Sequence, residues 1–428
     1  MLESVPLTPK KLDDYRPIIG DERVDEIREL AAPLVGARVL HLNATAFGGG
    51  VAEILSTLAP LMIDVGLKAD WQVIAGSDGF YDATKAMHNS LQGMPVTLTQ
   101  EMQDSWLEIN RQNAGNFDQT YDYIVVHDPQ PAAMRSILQA NNAAGAAGKW
   151  IWRCHIDLTE ARQEAWDLIV RHVSAFDGAI FTSADYVKDG LKGPRIFIVP
   201  PAIDPLSPKN VELPDSEYRA ILERFNVDPD RPLVAQISRF DPWKDPLGVI
   251  EAYRQVKKRF PELQLVLIAS MAHDDPEGWE WYERSVRRAG EDFDIHVLSN
   301  LHGVGNVEVN AFQRADVVIQ KSIREGFGLV VSEGLWKERP VVAGNVGGIP
   351  LQLIQGETGY LVSTIEECAE RVEELLADPD RAARMGAAGR EFVREHFLIT
   401  RLLADYLKIF RLLSGIETPP VAEVTAQR

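Results

Sequence analysis

The sequence predicts an α/β protein of two domains, each built on a parallel sheet, facing one another across a cleft. Three observations predict it. The chain has 428 residues, more than one ordinary domain packs around a single core. Short β-branched runs alternate with amphipathic stretches, as in parallel strands joined by helical crossovers. The strand candidates fall into two sets, parted by the proline-dense stretch Pro200-Pro201-Ala202-Ile203-Asp204-Pro205, which reads as an inter-domain linker.

The first set comprises Ala37–Leu42, Ala69–Ile74, Tyr123–Val126, Trp150–Cys154, Gly178–Thr182 and Ile196–Val199. The second comprises Leu233–Ile237, Gln264–Ile268, Ile295–Val297, Val317–Gln320 and Pro340–Ala343. After Gly48-Gly49-Gly50, the residues Ile54, Leu55, Leu58, Met62 and Val65 recur on one helical face. Near the end, Phe392, His396, Ile399, Leu402, Leu403, Tyr406, Ile409 and Phe410 keep helical spacing. The expected organisation is therefore an N-terminal domain over 1–205, a second domain over 206–390, a C-terminal helix over 391–416 and a mobile polar tail over 417–428.

Composition narrows the function. Apolar residues make up 45% and charged residues 25%, as in a globular chain. The net charge of -19 argues against a nucleic-acid partner, which would require a basic stripe. A small phosphorylated ligand is not excluded, because one local cluster of cations and amides can hold a diphosphate. No apolar run approaches the length of a membrane span, and MLESVPLTPKKLDDY lacks the apolar core of a secretory signal. The two cysteines, Cys154 and Cys368, have no metal-ligand spacing, so a reduced, cytoplasmic setting is expected.

In open parallel sheets, ligands bind beyond the carboxyl ends of the strands. Several motifs stand at such ends. Glu325-Gly326-Phe327-Gly328-Leu329-Val330-Val331-Ser332-Glu333 follows one strand and opens an expected amphipathic helix. Its glycines admit close backbone approach, and a helix N-terminus offers amides to phosphate. Taken alone, it is equally an ordinary turn with surface carboxylates. Ser238-Arg239-Phe240-Asp241-Pro242-Trp243-Lys244 places two cations at another strand end, suited to a departing diphosphate or simply solvated. Gly347-Gly348 is a weaker signal of the same kind, as readily a turn.

In the first half, Gly48, Gly49 and Gly50 form a loop between strand and helix, but neither G-x-G-x-x-G nor a P-loop lysine is present. Asp128 and His155 follow two further strands and are expected to project into the cleft. Met271-Ala272-His273-Asp274-Asp275-Pro276-Glu277-Gly278-Trp279 reads as helix capping and loop fixation, with a base- or sugar-facing loop as the alternative, rather than a metal site, and no metal is expected.

The pairing of Glu325 with Glu333, seven residues between them, and the upstream Arg239 and Lys244 resemble the retaining family-4 glycosyltransferases of GT-B fold. The runs LNATAFGGGVAEIL, VVHDPQPAA, WRCHIDL, SRFDPWKDP, MAHDDPEGW and NAFQRADVVIQKSIREGFGL resemble the trehalose glycosyltransferring synthases along nearly the whole chain. That resemblance implies two Rossmann-like domains, with the C-terminal helix crossing back to the first. It implies transfer of glucose from UDP- or ADP-glucose to free glucose, forming α,α-trehalose.

Carried over by motif, Arg239 and Lys244 hold the donor diphosphate and Glu333 the ribose. Glu325, with the amides of Gly326, Phe327, Gly328 and Leu329, meets the donor sugar and diphosphate. His155 and Asp128 contact the sugar, and Gly48–Gly50 lie near acceptor or phosphate. No cofactor is required for the chemistry, while Mg²⁺ and a homodimer are left open. Retaining trehalose phosphorylases look similar and are the alternative. Trehalose-6-phosphate synthases share the fold more distantly, and a non-catalytic sugar-nucleotide-binding regulator is a remoter reading.

Overall fold

The computed structural model describes residues 2–269 and 276–424. The chain divides into two compact units, Met1–Ala202 with Ile399–Arg428, and Ile203–Leu398. The first unit carries β1 (Glu3–Ser4), β2 (Arg38–Asn43), β3 (Lys68–Val73), β4 (Tyr123–His127), β5 (Lys149–Arg153), β6 (Gly178–Phe181) and β7 (Arg195–Ile198). The second carries β8 (Leu233–Ser238), β9 (Gln264–Ala269), β10 (Ile295–Ser299), β11 (Val317–Gln320), β12 (Val341–Gly344) and β13 (Gly359–Val362). The chain then returns to the first unit, where β14 (Glu423–Val424) pairs antiparallel with β7.

Every strand expected from the sequence is present, with ends shifted by a residue or two. The sheet of the second unit runs β10-β9-β8-β11-β12-β13, all parallel. That order is the doubly wound one, and its direction of winding reverses between β8 and β11. The first sheet runs β1-β3-β2-β4-β5-β6-β7-β14, parallel except at its two-residue edges, and reverses between β2 and β4. Crossovers cover both faces of the second sheet, so its strands are buried on both sides. Val234, Leu265 and Leu267 enter one core cluster, whereas Leu233, Ala235, Ile237, Val266 and Ile268 enter another. This is the period-2 alternation of side chains across a strand. In the first unit, Trp106, Trp150, Trp152 and Trp166 anchor the main core cluster.

Three expectations require correction. The single C-terminal helix over 391–416 is two helices, Pro379–His396 and Ile399–Leu413. Neither Gly nor Pro breaks them. The Phe397 carbonyl accepts the Ile203 backbone N–H at 2.8 Å and Leu398 pairs with Ile203, so a tertiary bridge overrides local helical propensity. Within the tail expected to fray from 417, Glu423 and Val424 form an edge strand, and Arg195 grips the Glu423 carboxylate at 2.8 and 2.9 Å. Finally, the helix Leu329–Trp336 is not amphipathic: Val331 through Trp336 are all buried. A short helix buried all round carries no polar stripe.

Candidate functional site

In the second unit, the two predicted motifs follow β8 and β11, the strands that flank the reversal of winding. After β8 the chain makes two successive capped turns. Asp241 Oδ1 accepts the Lys244 N–H at 3.1 Å, and Asp245, at a positive φ of 48°, accepts the Gly248 N–H at 3.1 Å to start the helix Pro246–Lys257. Gln236 Nε2 donates to the Lys244 carbonyl at 2.7 Å, and the Ile323 N–H donates to the Trp243 carbonyl at 2.8 Å. The loops after β8 and β11 are thereby fastened together.

This scaffold brings Lys244 and Glu325 into contact. Lys244 Nζ lies 2.6 Å from Glu325 Oε2, both side chains being close to fully buried. Gln320 Nε2 and Ser322 Oγ each donate to the same oxygen at 3.2 Å. Burial by itself would raise the Glu325 pKa; the Lys244 charge and these donors outweigh it and hold the carboxylate below its ordinary value. Arg239 behaves differently. Its side chain is 58% exposed and pairs with the buried Asp241 carboxylate at 3.2 Å. It is the outward-facing cation of the motif. Lys321, buried, pairs with Asp245, a contact the sequence did not suggest.

The turn between Glu325 and the helix is shaped by glycine. Gly328 has φ 82° and precedes the first helical residue, Leu329. Gly348 packs against the same turn: a Cβ there would stand 2.5 Å from the Gly326 carbonyl oxygen and 2.9 Å from Phe327 Cα. Its N–H donates to the Glu325 carbonyl at 3.2 Å. The weak Gly347-Gly348 signal is therefore a close backbone approach within the unit. Gln352, fully buried, braces the turn from the other side. Its Oε1 accepts the Ser332 N–H and hydroxyl at 3.0 and 2.6 Å, and its Nε2 donates to the Phe327 carbonyl at 2.5 Å.

Glu333 lies apart from Glu325, one turn into the helix and without solvent exposure. Lys209 Nζ stands 2.7 Å from Glu333 Oε1, and Gln313 donates to its other oxygen. Burial again acts to raise the pKa, but Lys209, Lys337 and the bond from Gln313 leave it lowered. The two glutamates of the motif thus each hold a lysine, one from the β8 loop and one from the segment just after Ile203. Lys209, Gln313 and Gln352 escaped the sequence reading because their partners are distant in the chain.

In the first unit, Asp128 and His155 follow β4 and β5, and the Gly48–Gly50 loop follows β2. Gly48 has φ 84°, and the loop is exposed, Gly50 opening the helix Gly50–Asp64. Asp128 itself has φ 62°, in the left-handed region that Asp tolerates better than most residues. Its Oδ1 accepts the His155 backbone N–H at 2.8 Å, and its own N–H donates to the Arg153 carbonyl at 2.9 Å. Asp128 and His155 are thus brought together, but through the His155 main chain. Burial pushes the Asp128 carboxyl up to about 7, against the pull of that N–H and of Arg153. The His155 ring turns Nε2 toward His127 Nδ1 at 3.0 Å, and burial together with Arg153 holds its pKa well below the usual histidine value.

Residues 271–275 of the Met271–Trp279 motif lie outside the described residues. Among the described residues, no group of three His, Cys, Asp or Glu side chains is placed to hold a metal ion, and no helix is long and apolar enough to cross a membrane.

Known proteins resemble this chain along nearly its whole length. Residues 41–188 match the family model described as trehalose synthase, N-terminal domain, and residues 218–392 match glycosyl transferases group 1. A trehalose synthase of Rubrobacter xylanophilus is 50% identical over 97% of this chain and 100% of its own. One of Thermococcus litoralis is 49% identical over 94% and 96%. A trehalose phosphorylase of Grifola frondosa is more distant, 25% identical over 96% of this chain and 62% of its own. The solved structure described as trehalose-6-phosphate from E. coli bound with UDP-2-fluoro glucose superposes with a TM-score of 0.71 at 13% identity, covering 88% of this chain and 99% of that one. At that identity the likeness speaks to the GT-B fold alone. The chain is a glycosyltransferase of GT-B fold and belongs to the trehalose synthase family.

Proposed function

We propose that the enzyme transfers glucose from a nucleoside-diphosphate glucose, carrying uridine or adenosine, to free glucose, forming α,α-trehalose with retention at the donor carbon. The observation that carries this reading is the end-to-end identity of about one residue in two with relatives described as trehalose synthase. In the second unit, Arg239 and Lys244 take the donor diphosphate, helped by the amides that open the helix at Leu329. Glu325 meets donor hydroxyls while keeping Lys244 in place. Glu333, with Lys209 beside it, receives the ribose. In the first unit, His155 contacts the sugar being transferred, and Asp128 sets the turn that carries it.

The reaction is a front-face substitution. The bond from the donor C1 to the phosphate oxygen loosens, and an oxocarbenium-like centre forms. The acceptor 1-hydroxyl bonds to that carbon from the leaving-group side, and its proton passes to the departing phosphate oxygen. Arg239 and Lys244 stabilise charge as it develops on the diphosphate, where preorganised electrostatics contributes most. The carboxylates serve as ligands to hydroxyls and lysines, in contrast to the acid and nucleophile pair of retaining glycosidases. This chemistry needs no cofactor.

The test is direct. The purified protein is incubated with glucose and a panel of nucleoside-diphosphate glucoses, and trehalose and released nucleotide are assayed together. Equimolar trehalose and nucleoside diphosphate are expected from at least one donor. Trehalose formed only from glucose 1-phosphate, with release of inorganic phosphate, would replace the proposal with a phosphorylase.

A further inference from the structure

Behind His155, in a chain with it, lie two further histidines, His127 and His41, that the proposed reaction does not use. His155 Nε2 is 3.0 Å from His127 Nδ1. His127 Nε2 is 3.1 Å from His41 Nδ1, and His41 Nε2 is 3.5 Å from the Met62 sulfur. The sheet builds this chain. His41 of β2 is in register with Val125 of β4, and His127 stands two residues further along. His127 is in register with Arg153 of β5, and His155 again stands two further along. A step of two residues per strand keeps all three rings on one face of the sheet. Met62, on the helix Gly50–Asp64, and His41 have no solvent exposure, and His127 is 2% exposed. Tyr406 of the helix Ile399–Leu413 lies edge-on to His41, with ring centroids 5.8 Å apart.

A neutral imidazole has one N–H donor and one lone-pair acceptor, so such a chain can run in only two directions. In one direction every ring donates through Nε2: His155 to His127, His127 to His41, His41 to Met62. In the other every ring donates through Nδ1, and His41 Nε2 turns a lone pair toward the thioether. A thioether accepts a hydrogen bond weakly and donates none. Only the first direction leaves no lone pair facing a lone pair.

We infer that Met62 sets the direction of this chain, and thereby holds His155 as the Nε2–H tautomer with Nδ1 presented as a hydrogen-bond acceptor for a hydroxyl group of the ligand. The rings are neutral. Burial brings His41 down to about 3 and holds His127 well below the usual histidine value, and the Arg153 charge disfavours a second proton on His127 and His155. His155 Nδ1 makes no hydrogen bond among the described residues, and His155 is the one partly exposed member of the three, so it is the open end of the chain. The ligand chemistry this end selects is an O–H donor such as a sugar hydroxyl; a phosphate or carboxylate oxygen would meet a lone pair. Met62 and His41 are positioning residues. The hydroxyl role rests on the reading of His155 as a sugar contact; the tautomer does not.

The experiment is two-bond ¹H–¹⁵N correlation spectroscopy of ¹⁵N-histidine-labelled full-length protein at neutral pH, with the ring signals assigned by His155→Gln, His127→Gln and His41→Gln. The wild type is expected to show His155, His127 and His41 all protonated at Nε2. His155 protonated at Nδ1 would overturn the inference, and this measurement requires no altered residue at position 62. Met62→Leu is a near volume-conserving core swap that removes only the acceptor. It is expected to erode a roughly fivefold or greater excess of the Nε2–H form, the ratio one ordinary hydrogen bond sustains, toward a mixture. An unchanged His155 signal in Met62→Leu would overturn the role of Met62. Protein with the expected tautomers that makes no trehalose from any nucleotide sugar would sink the functional proposal and leave this assignment standing.

Discussion

Removing the Lys244 ammonium should expose how firmly the Glu325 carboxylate depends on it. In Lys244→Met the buried Glu325 keeps its hydrogen bonds from Gln320 and Ser322 but loses the charge 2.6 Å away. Breaking one side of a buried pair costs about 3–5 kcal/mol, because the other charge stays behind unpaired. In a unit of roughly 200 residues, where 1 kcal/mol moves the midpoint by about 2–4 °C, the melting temperature should fall by roughly 6–20 °C. The loss also acquires a pH signature. With Lys244 gone, burial dominates and the Glu325 pKa rises above its unfolded value. A raised carboxyl stabilises at low pH, and that contribution disappears as pH rises through the new pKa. The melting temperatures of Lys244→Met and wild type should therefore lie closest near pH 4 and furthest apart near pH 8. The double variant Lys244→Met/Glu325→Gln removes both charges and should recover part of the loss. Circular dichroism melts across pH, completed as a double-mutant cycle, measure both effects. A loss below about 1 kcal/mol at pH 8, or one independent of pH, would show that the pair is not the charge-compensated unit described here.

Other expectations follow from the same geometry. Arg239→Ala should lower turnover by on the order of 10² or more with a smaller loss of stability than Lys244→Met, since its side chain is largely exposed although its partner Asp241 is buried; near-full activity would remove Arg239 from the diphosphate. Glu333→Gln should weaken binding of the nucleoside diphosphate in calorimetry, and unchanged affinity would exclude the ribose role. Asp128→Asn should keep the left-handed turn and the bond to His155. Its stability relative to wild type should rise between pH 4 and pH 7, by at most about 4 kcal/mol, because the buried wild-type carboxyl keeps its proton up to about 7 while the unfolded one releases it from about pH 4. A flat difference in urea melts across that range would discount burial as the cause. Gly348→Ala should destabilise the fold and slow catalysis together, since its Cβ meets backbone that cannot swing aside; a variant with a native melt would refute the close approach.

Much of this architecture was legible in the sequence, for a definite reason. Strands buried on both faces are short β-branched runs whatever they pack against, so β2 to β12 are visible locally. The exceptions are instructive. β13 (Gly359–Val362) was not among the strands expected from the sequence; it follows directly on a turn and is defined by its parallel pairing with β12. β1 and β14 have two residues each and exist only through pairing with β3 and β7. The bend at Phe397–Leu398 depends on Ile203, almost two hundred residues earlier.

The candidate site divides in the same way. Arg239, Lys244, Asp128 and His155 stand at strand ends, which a sequence discloses as candidate places for chemistry. Partners are different: a contiguous motif does not disclose that Glu325 takes Lys244 while Glu333 takes Lys209. His41 and His127 are 86 residues apart in the sequence. Only inter-strand register lines them up behind His155, and register is a property of pairs of strands.

The double passage of the chain through the first unit has a consequence for biogenesis. Residues 203–398 form a self-contained insertion whose two ends meet where the Ile203 N–H reaches the Phe397 carbonyl. On a ribosome this inserted body is complete before the first unit has received its last helix, Ile399–Leu413, which supplies Tyr406 against His41 and Phe410 stacked 4.3 Å from Tyr123. The usual N-terminal-first order of domain completion is therefore inverted. A nascent chain halted before residue 399 would carry a finished second unit and a first unit whose apolar contacts to Leu402, Leu403, Tyr406, Leu407 and Phe410 are still unmade.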